Sequence, residues 1–293
     1  MYDMKALYEA ASVAHAVSLL QEHPGAKIIA GGSDVLVQMR EGKLAGSELV
    51  SIYLLDELRG VTMLEDGALR IGSLTSFSHI TKDPLIQQHI AVLGEAVDMV
   101  GGPQVRNIGT IGGNTCNGVT SADSASTLMA YDAVMEVEGP EGKRLIPIRE
   151  WYISAGKVSL KPAEMQVAIR IPKECYEGYK GHYIKYAMRN AMDIATLGCS
   201  ANVKLSADKK TILDARLAYG VAGPVPMRAP SAEAAVKGKP VNEASIETFG
   251  EAVSQDVKPR DSWRASKAFR LHLAEELAKR ALRESIRLSG GEL

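Results

Sequence analysis

Three cysteines in 293 residues, Cys116, Cys175 and Cys199, lie far apart, with no CxxC pair and no histidine at zinc spacing. That spacing points to a reducing compartment. An iron-sulfur cluster ordinarily takes four thiolates, so any cluster serving this chain must sit on a partner. Basic excess is missing as well. A net charge of -1 leaves no stripe of lysine and arginine of the kind nucleic acid requires, so no nucleic-acid partner is expected. The longest apolar runs fall well short of the twenty or so residues a bilayer span needs, and MYDMKALYEA does not read as a signal peptide. No membrane association is expected, and the chain is expected in the cytoplasm. The six histidines are scattered and pair with no serine or cysteine. Nothing here resembles acid-base machinery.

What is present is ordinary globular material: 46% apolar and 24% charged residues. The length predicts two or three units with cores of their own. Two glycine pairs stand out. At KIIAGGSDVL, a short apolar run enters Gly31 and Gly32, and Val35 to Met39 can open a helix capped by Ser33 or Asp34. A strand, a bare loop and a helix start together cradle phosphate, because free amides and the helix dipole face an incoming anion. At IGTIGGNTCN, Gly112 and Gly113 repeat the texture. One such loop could be a plain turn. Two suggest one diphosphate held from both sides.

The periodicity predicts a helix from Val13 to Leu20 after Ser12, stopped by Pro24 and Gly25, and then strands at Ile28 and at Glu48 to Tyr53. Residues 1–56 therefore form a first α/β unit with parallel strands. Asp66-Gly67 marks a hairpin that opens a second, more antiparallel unit, residues 57–176. Within it one amphipathic helix is expected from Leu85 to Val100, ending at Gly101 and Gly102 before Pro103. A short helix before AVMEVEG follows, with more strand at LIPIREWY and MQVAIRIP. The turn-rich stretch from Pro172 to Gly181 divides the chain. Residues 182–293 should form a third unit of three strands and a long helical segment, Ser262 to Leu288, with Phe269, Leu273, Leu277 and Ala281 as its buried stripe.

Neither glycine loop matches G-x-G-x-x-G or GxxxxGK[ST], which argues against a nicotinamide domain or an ATPase. AGGSD at 30–34, TIGGN at 110–114 and AMDIA at 191–195 instead resemble the FAD-binding subunits of molybdenum hydroxylases, over nearly the whole chain. The resemblance implies an α+β fold of the PCMH/CO dehydrogenase flavoprotein type: two α/β subdomains plus a C-terminal antiparallel sheet with helices. By the same resemblance, Lys27, Ile28, Ile29, Ala30, Gly31, Gly32, Ser33 and Asp34 hold the FAD pyrophosphate from one side. Gly109, Thr110, Ile111, Gly112, Gly113 and Asn114 hold it from the other, with main-chain amides as donors and the glycines bare so that phosphate can approach. Asp123 matches an aspartate on the flavin side of the cofactor, or else caps the following helix. Lys185 matches a lysine near the flavin ring, and Val100 and Val167 match apolar flavin contacts. Arg189 and Asp193 read equally well as a structural ion pair. Cys116, beside the second glycine pair, reads as a small buried thiol.

Within the family the chain looks most like the xanthine dehydrogenase type. That implies a partner subunit with iron-sulfur clusters, another with the molybdenum cofactor, and NAD as electron acceptor. Flavoproteins of CO dehydrogenases and hydroxybenzoyl-CoA reductases share the loops, but the reductase type adds a four-cysteine cluster insertion that this chain lacks. Two other readings stay open: the same flavoprotein role with an aldehyde, CO or another heterocycle as the complex's substrate, or a non-catalytic accessory subunit.

Overall fold

The computed structural model describes residues 2–293. Its first unit is a parallel sheet of β1 (Met4–Glu9), β2 (Lys27–Ile29) and β3 (Ser47–Ser51), in the order β1-β3-β2. Helix α1 (Val13–Glu22) crosses between the first two strands, and α2 (Val35–Arg40) between the next two. Ser12 caps α1 by accepting the His15 amide at 3.1 Å, as its position before the apolar period predicts. Asp34 holds the capping position of α2 but makes no cap bond. Its carboxylate accepts from the Gln38 side-chain amide instead.

The second unit is antiparallel. Strands β4 (Val61–Met63) and β5 (Leu69–Gly72) form the expected hairpin, with the Asp66 carboxylate accepting the Ala68 amide at 2.9 Å. Helices α3 (Phe77–Lys82), α4 (Pro84–His89), α5 (Ala91–Asp98), α6 (Pro103–Ile108), α7 (Ile111–Asn117) and α8 (Asp123–Ala130) follow in succession. Then come β6 (Val134–Gly139), β7 (Gly142–Pro147), the single turn α9 (Ile148–Trp151), and a two-stranded ladder of β8 (Tyr152–Ser154) and β9 (Lys157–Val158). Strand β10 (Met165–Ile171) returns to the centre of the sheet, whose order is β4-β5-β10-β6-β7.

Here the structure corrects the single helix expected over residues 85–100. Ile90, at φ -139 and ψ 44, breaks it into α4 and α5. The apolar period survives because Ile86, Ile90, Leu93 and Val97 all face one core and are wholly buried. Pro103 does not merely end a helix. It starts α6, where its missing amide leaves no bond unmade.

A short turn, α10 (Lys173–Tyr176), leads into the third unit, the antiparallel sheet of β11 (Lys180–Tyr186), β12 (Leu197–Leu205), β13 (Ile212–Gly220) and β14 (Met227–Arg228). Helices α11 (Pro230–Val236) and α12 (Glu243–Ala252), invisible to the sequence reading, pack with α13 (Lys267–Leu288) over one face. Leu273, Leu277 and Ala281 are buried as expected, each such leucine contributing about 1.5–3 kcal/mol by leaving water. Phe269 is not. It lies at the open start of α13, while Arg270 is the buried neighbour. Helix α8 is buried along its whole length, packed between α5 of the second unit and the opposite face of β12 and β13. This is the α+β architecture that the sequence predicts.

Candidate functional site

The chain turns from β2 to α2 through Ala30 to Asp34, and from α6 to α7 through Gly109 and Thr110. Both bends open onto one cleft of about 630 Å³, at the junction of the first two units. Lys27, Ile28, Ala30, Gly31, Gly32, Ser33 and Asp34 line one wall. Gly109, Thr110, Gly112, Gly113 and Asn114 line the facing one. Loops separated by some eighty residues of sequence thus converge.

The glycines do different work. A Cβ on Gly31 would stand 1.8 Å from the Ile108 carbonyl oxygen, and one on Gly112 would stand 2.5 Å from the Ser73 side chain. These two are bare because protein presses on them. Gly32 has φ +74, a backbone conformation that side chains resist. Gly113 alone is exposed to the cleft, its nearest neighbour being the Thr110 hydroxyl at 3.0 Å from a built Cβ.

Donors are divided as unevenly. Among the described residues, no protein acceptor takes the amides of Gly31, Gly32, Ser33 or Asp34. Four adjacent free amides in a bend are an anion cradle. The expectation that both loops offer amides needs correction. TIGGN is the first turn of a helix rather than a loop, and its amides from Ile111 to Asn114 are engaged, while that of Thr110 meets no protein acceptor among the described residues. Ile111 donates to the Thr75 carbonyl at 3.0 Å, Gly112 to the Ser73 carbonyl at 2.9 Å, Gly113 to the Thr110 hydroxyl at 3.1 Å, and Asn114 to the Thr110 carbonyl at 3.0 Å. What this second wall offers is the positive end of α7 and room beside Gly113.

The other sequence candidates separate. Val100 lines the cleft. Ile111 is wholly buried beneath it, and Ile29 is held in the sheet, its carbonyl accepting the Ile52 amide. Val167 does not line the cleft and belongs to the core under the first unit, with Leu58 and Leu74. Cys116 does line the cleft, its thiol 3.0 Å from the Gln166 side-chain oxygen, and burial pushes that thiol up to about 12. It has no nucleophilic character at neutral pH. Phe77, Gln166, Leu160 and Ala163 also line the cleft. No sequence signal marked them, since each reads as ordinary core or turn.

Asp123 and Lys185 meet in a buried ion pair, Nζ to Oδ2 2.8 Å, with side chains 7% and 8% exposed. Asp123 is the first residue of α8, and its side chain makes no capping bond. Tyr183 donates to its other oxygen at 2.8 Å. Burial raises the Asp123 carboxyl above its ordinary range, while the Lys185 charge and bond and the Tyr183 bond pull it back. Lys185 also donates to the Met99 carbonyl at 3.0 Å, one residue before cleft-lining Val100. The pair therefore stands behind the end of the cleft rather than in its lining. Arg189 and Asp193 form the expected local pair at 3.6 Å, and the Arg189 guanidinium also donates to the Met192 carbonyl.

Comparison with known proteins agrees with this geometry. Residues 2–174 match the family described as FAD binding domain in molybdopterin dehydrogenase, and residues 182–285 match the CO dehydrogenase flavoprotein C-terminal domain. A putative xanthine dehydrogenase FAD-binding subunit of Escherichia coli K12 is 45% identical over 293 residues, all of both chains. The carbon monoxide dehydrogenase medium chain of Hydrogenophaga pseudoflava is 29% identical, covering 92% of this chain and 93% of that one. A solved structure of carbon monoxide dehydrogenase from Hydrogenophaga pseudoflava superposes with a TM-score of 0.91 at 28% identity, covering 97% of this chain and 98% of that chain. Among the described residues no histidine, cysteine or carboxylate cluster could hold a metal ion, and no helix is long and apolar enough to cross a membrane. The chain belongs to the FAD-binding subunits of the molybdopterin dehydrogenases.

Proposed function

We propose that this chain is the FAD-carrying electron-transfer subunit of a xanthine dehydrogenase, with iron-sulfur clusters and the molybdenum cofactor on partner subunits and NAD+ as the final acceptor. The observation that carries this reading is the row of unclaimed amides from Gly31 to Asp34, facing the open side of Gly113 across one cleft. A diphosphate fits that donor set. Bound there, FAD supplies both one-electron exchange with iron-sulfur clusters and hydride transfer from its N5 to NAD+.

The chain's own residues bind and orient. Gly31 to Asp34 would donate to the pyrophosphate, Thr110 to Asn114 would oppose it with the α7 dipole, and Val100 would pack against the flavin end. Lys185 and Asp123, neutralising each other behind Val100, would fix the polarity of that end. The purine, hypoxanthine or xanthine, would be oxidised on the molybdenum subunit and never touch this chain. The 45% identity over the full length to a putative xanthine dehydrogenase subunit supports the purine reading over the CO and aldehyde alternatives, whose relatives lie below 30%. The test is purification of the chain alone and with its partners. Visible flavin absorbance and NADH formation from xanthine are expected. A colourless protein that refuses added FAD overturns the flavoprotein reading, and a flavoprotein complex inert toward purines overturns the substrate.

A further inference from the structure

A second opening lies where the third unit meets the second, and it shares no lining residue with the cofactor cleft. Its volume is about 560 Å³, within the roughly 300–1,000 Å³ of small-molecule sites. Five segments build it: the β4–β5 hairpin, the end of α4, the stretch from α10 to the start of β11, the turn after β12, and the end of α13. Met63, Leu205 and Leu288 give it an apolar side. Met63 and Leu288 stay partly in water, at 39% and 40% exposure, so a ligand seated on them removes apolar surface from solvent.

The cations around it come from separate places. Lys173 opens α10, Lys180 opens β11, and Lys209 stands in the turn between β12 and β13. Among the described lining residues Glu177 is the one carboxylate, and it pairs with Lys173 at 3.2 Å. The crevice of similar size beside the start of α1 differs, since Arg70, Lys143, Arg144 and Arg170 share it with Glu57, Glu136 and Glu138. There the charges answer one another. Unpaired lysines are common on this surface, but here ammonium groups from three segments converge on one concave site, an arrangement that draws a polyanion.

The walls are held in place. A Cβ on Gly67 would stand 2.8 Å from Lys173 Cδ, and one on Gly178 would stand 3.0 Å from Lys204 Cε, so both lysine stems lie against bare backbone at positive φ. Tyr176 donates to the Gly67 carbonyl at 2.6 Å, and His89 meets its ring edge-on at 5.2 Å between ring centres. Tyr179 donates to the Asp214 carboxylate at 2.5 Å, with the Arg216 guanidinium 4.5 Å from its ring centre. Rings fixed in this way need no reordering when a flat ligand enters. Lys209 itself has φ +62, a conformation that a residue with a side chain resists, and such strain gathers at ligand sites.

We propose that this opening is a second ligand site, taking a nucleoside diphosphate whose phosphates meet Lys173, Lys180 and Lys209 while its ring packs on Tyr176, His89 and the apolar side. Because the lining comes from both units, an occupied site ties one to the other. The proposal rests on the geometry of this opening and not on the reaction proposed above.

The experiment is calorimetric titration of the FAD-loaded full chain, its cofactor cleft filled, with ADP, inorganic pyrophosphate and adenosine as probes. ADP should bind saturably, pyrophosphate more weakly, and adenosine not at all, and ADP should raise the melting temperature. Lys180→Glu with Lys209→Glu should weaken ADP binding about tenfold or more with FAD content unchanged. The same change of net charge placed elsewhere, Lys82→Glu with Lys239→Glu, should leave ADP affinity as it is. Absence of saturable ADP binding to the wild type overturns the proposal. So does wild-type affinity in Lys180→Glu with Lys209→Glu, which puts ADP at another place, and so does equal loss in both double variants, which reduces the effect to net charge. Adenosine or pyrophosphate binding as tightly as ADP would overturn the nucleotide assignment.

Discussion

Gly31 faces the carbonyl of Ile108 so closely that a methyl group on its α-carbon would stand 1.8 Å from the oxygen. The two glycine-bearing bends therefore touch each other directly. The cleft lies beside that contact, with the residues of the unclaimed amides, Gly31 to Asp34, in its lining. Gly31→Ala should push the bends apart. The expected cost is about 1–3 kcal/mol, that of overpacking a tight contact, seen as a lower melting temperature in apo protein. FAD affinity should fall with it. A variant with wild-type melting behaviour would mean that the contact relaxes freely.

Gly113 makes the opposite case. Little protein lies against it, so Gly113→Val should weaken FAD binding by about 2 kcal/mol or more, through a blocked approach and a disturbed Thr110 cap. Melting of the ligand-free protein should change far less than in Gly31→Ala. Titration of flavin fluorescence measures the first and a thermal melt the second. Equal FAD affinity in Gly113→Val and the wild type would reduce this helix start to a plain turn.

These two glycines also show how far the sequence could be read. The spacing of Gly-Gly with a neighbouring threonine or serine marks two bends that the structure brings to one cleft, because the backbone demand it records is local. It could not say which glycine is empty for a ligand and which for Ile108 or Ser73, since that depends on partners distant in the chain. Ile111 and Val167 illustrate the same limit: apolar residues near a site look identical whether they line it or lie beneath it. Helix α7 was read as loop because glycine and asparagine are poor helix formers, and tertiary packing against Ser73 and Gln166 overrides that propensity. The break at Ile90 left no trace, as both halves of the helix bury the same stripe.

The Lys185–Asp123 pair should behave as a buried couple. Removing one partner strands the other's charge, so Lys185→Met should destabilise by about 3–5 kcal/mol. Adding Asp123→Asn should recover part of that loss, and the double-mutant cycle measures the coupling. The pH response gives a sharper signature. Burial already holds the Asp123 carboxyl above its unfolded value of 3.8, and losing the Lys185 charge must raise it further. An acid whose folded value is raised contributes stability at low pH that disappears as pH climbs through that value. Lys185→Met should therefore regain more melting temperature on acidification than the wild type does. Parallel pH profiles would contradict a buried pair.

Glu164 provides the opposite sign at the cleft's edge. Its carboxylate accepts two bonds from Arg144, both 2.7 Å, and one from the Lys161 amide at 2.6 Å. The Arg144 bonds, followed by the Lys161 amide, hold it below the ordinary glutamate value of 4.5 despite partial burial. An acid with a depressed folded value stabilises the fold above its unfolded value, and the contribution is lost as pH falls through the folded one. Stability should thus be flat in this respect at neutral pH and decline once the pH drops beneath about 4.5. Glu164→Gln keeps the shape but accepts fewer bonds, so its melting temperature should be lower at neutral pH and the acid slope shallower. Because Glu164 borders the cleft and Arg144 also reaches the Ser159 carbonyl beside cleft-lining Leu160, the variant should loosen that wall and weaken FAD retention. Denaturation followed from neutral pH to about pH 3, with flavin release recorded alongside, separates the two effects. An acid slope identical to the wild type's would show that the carboxylate titrates as though free.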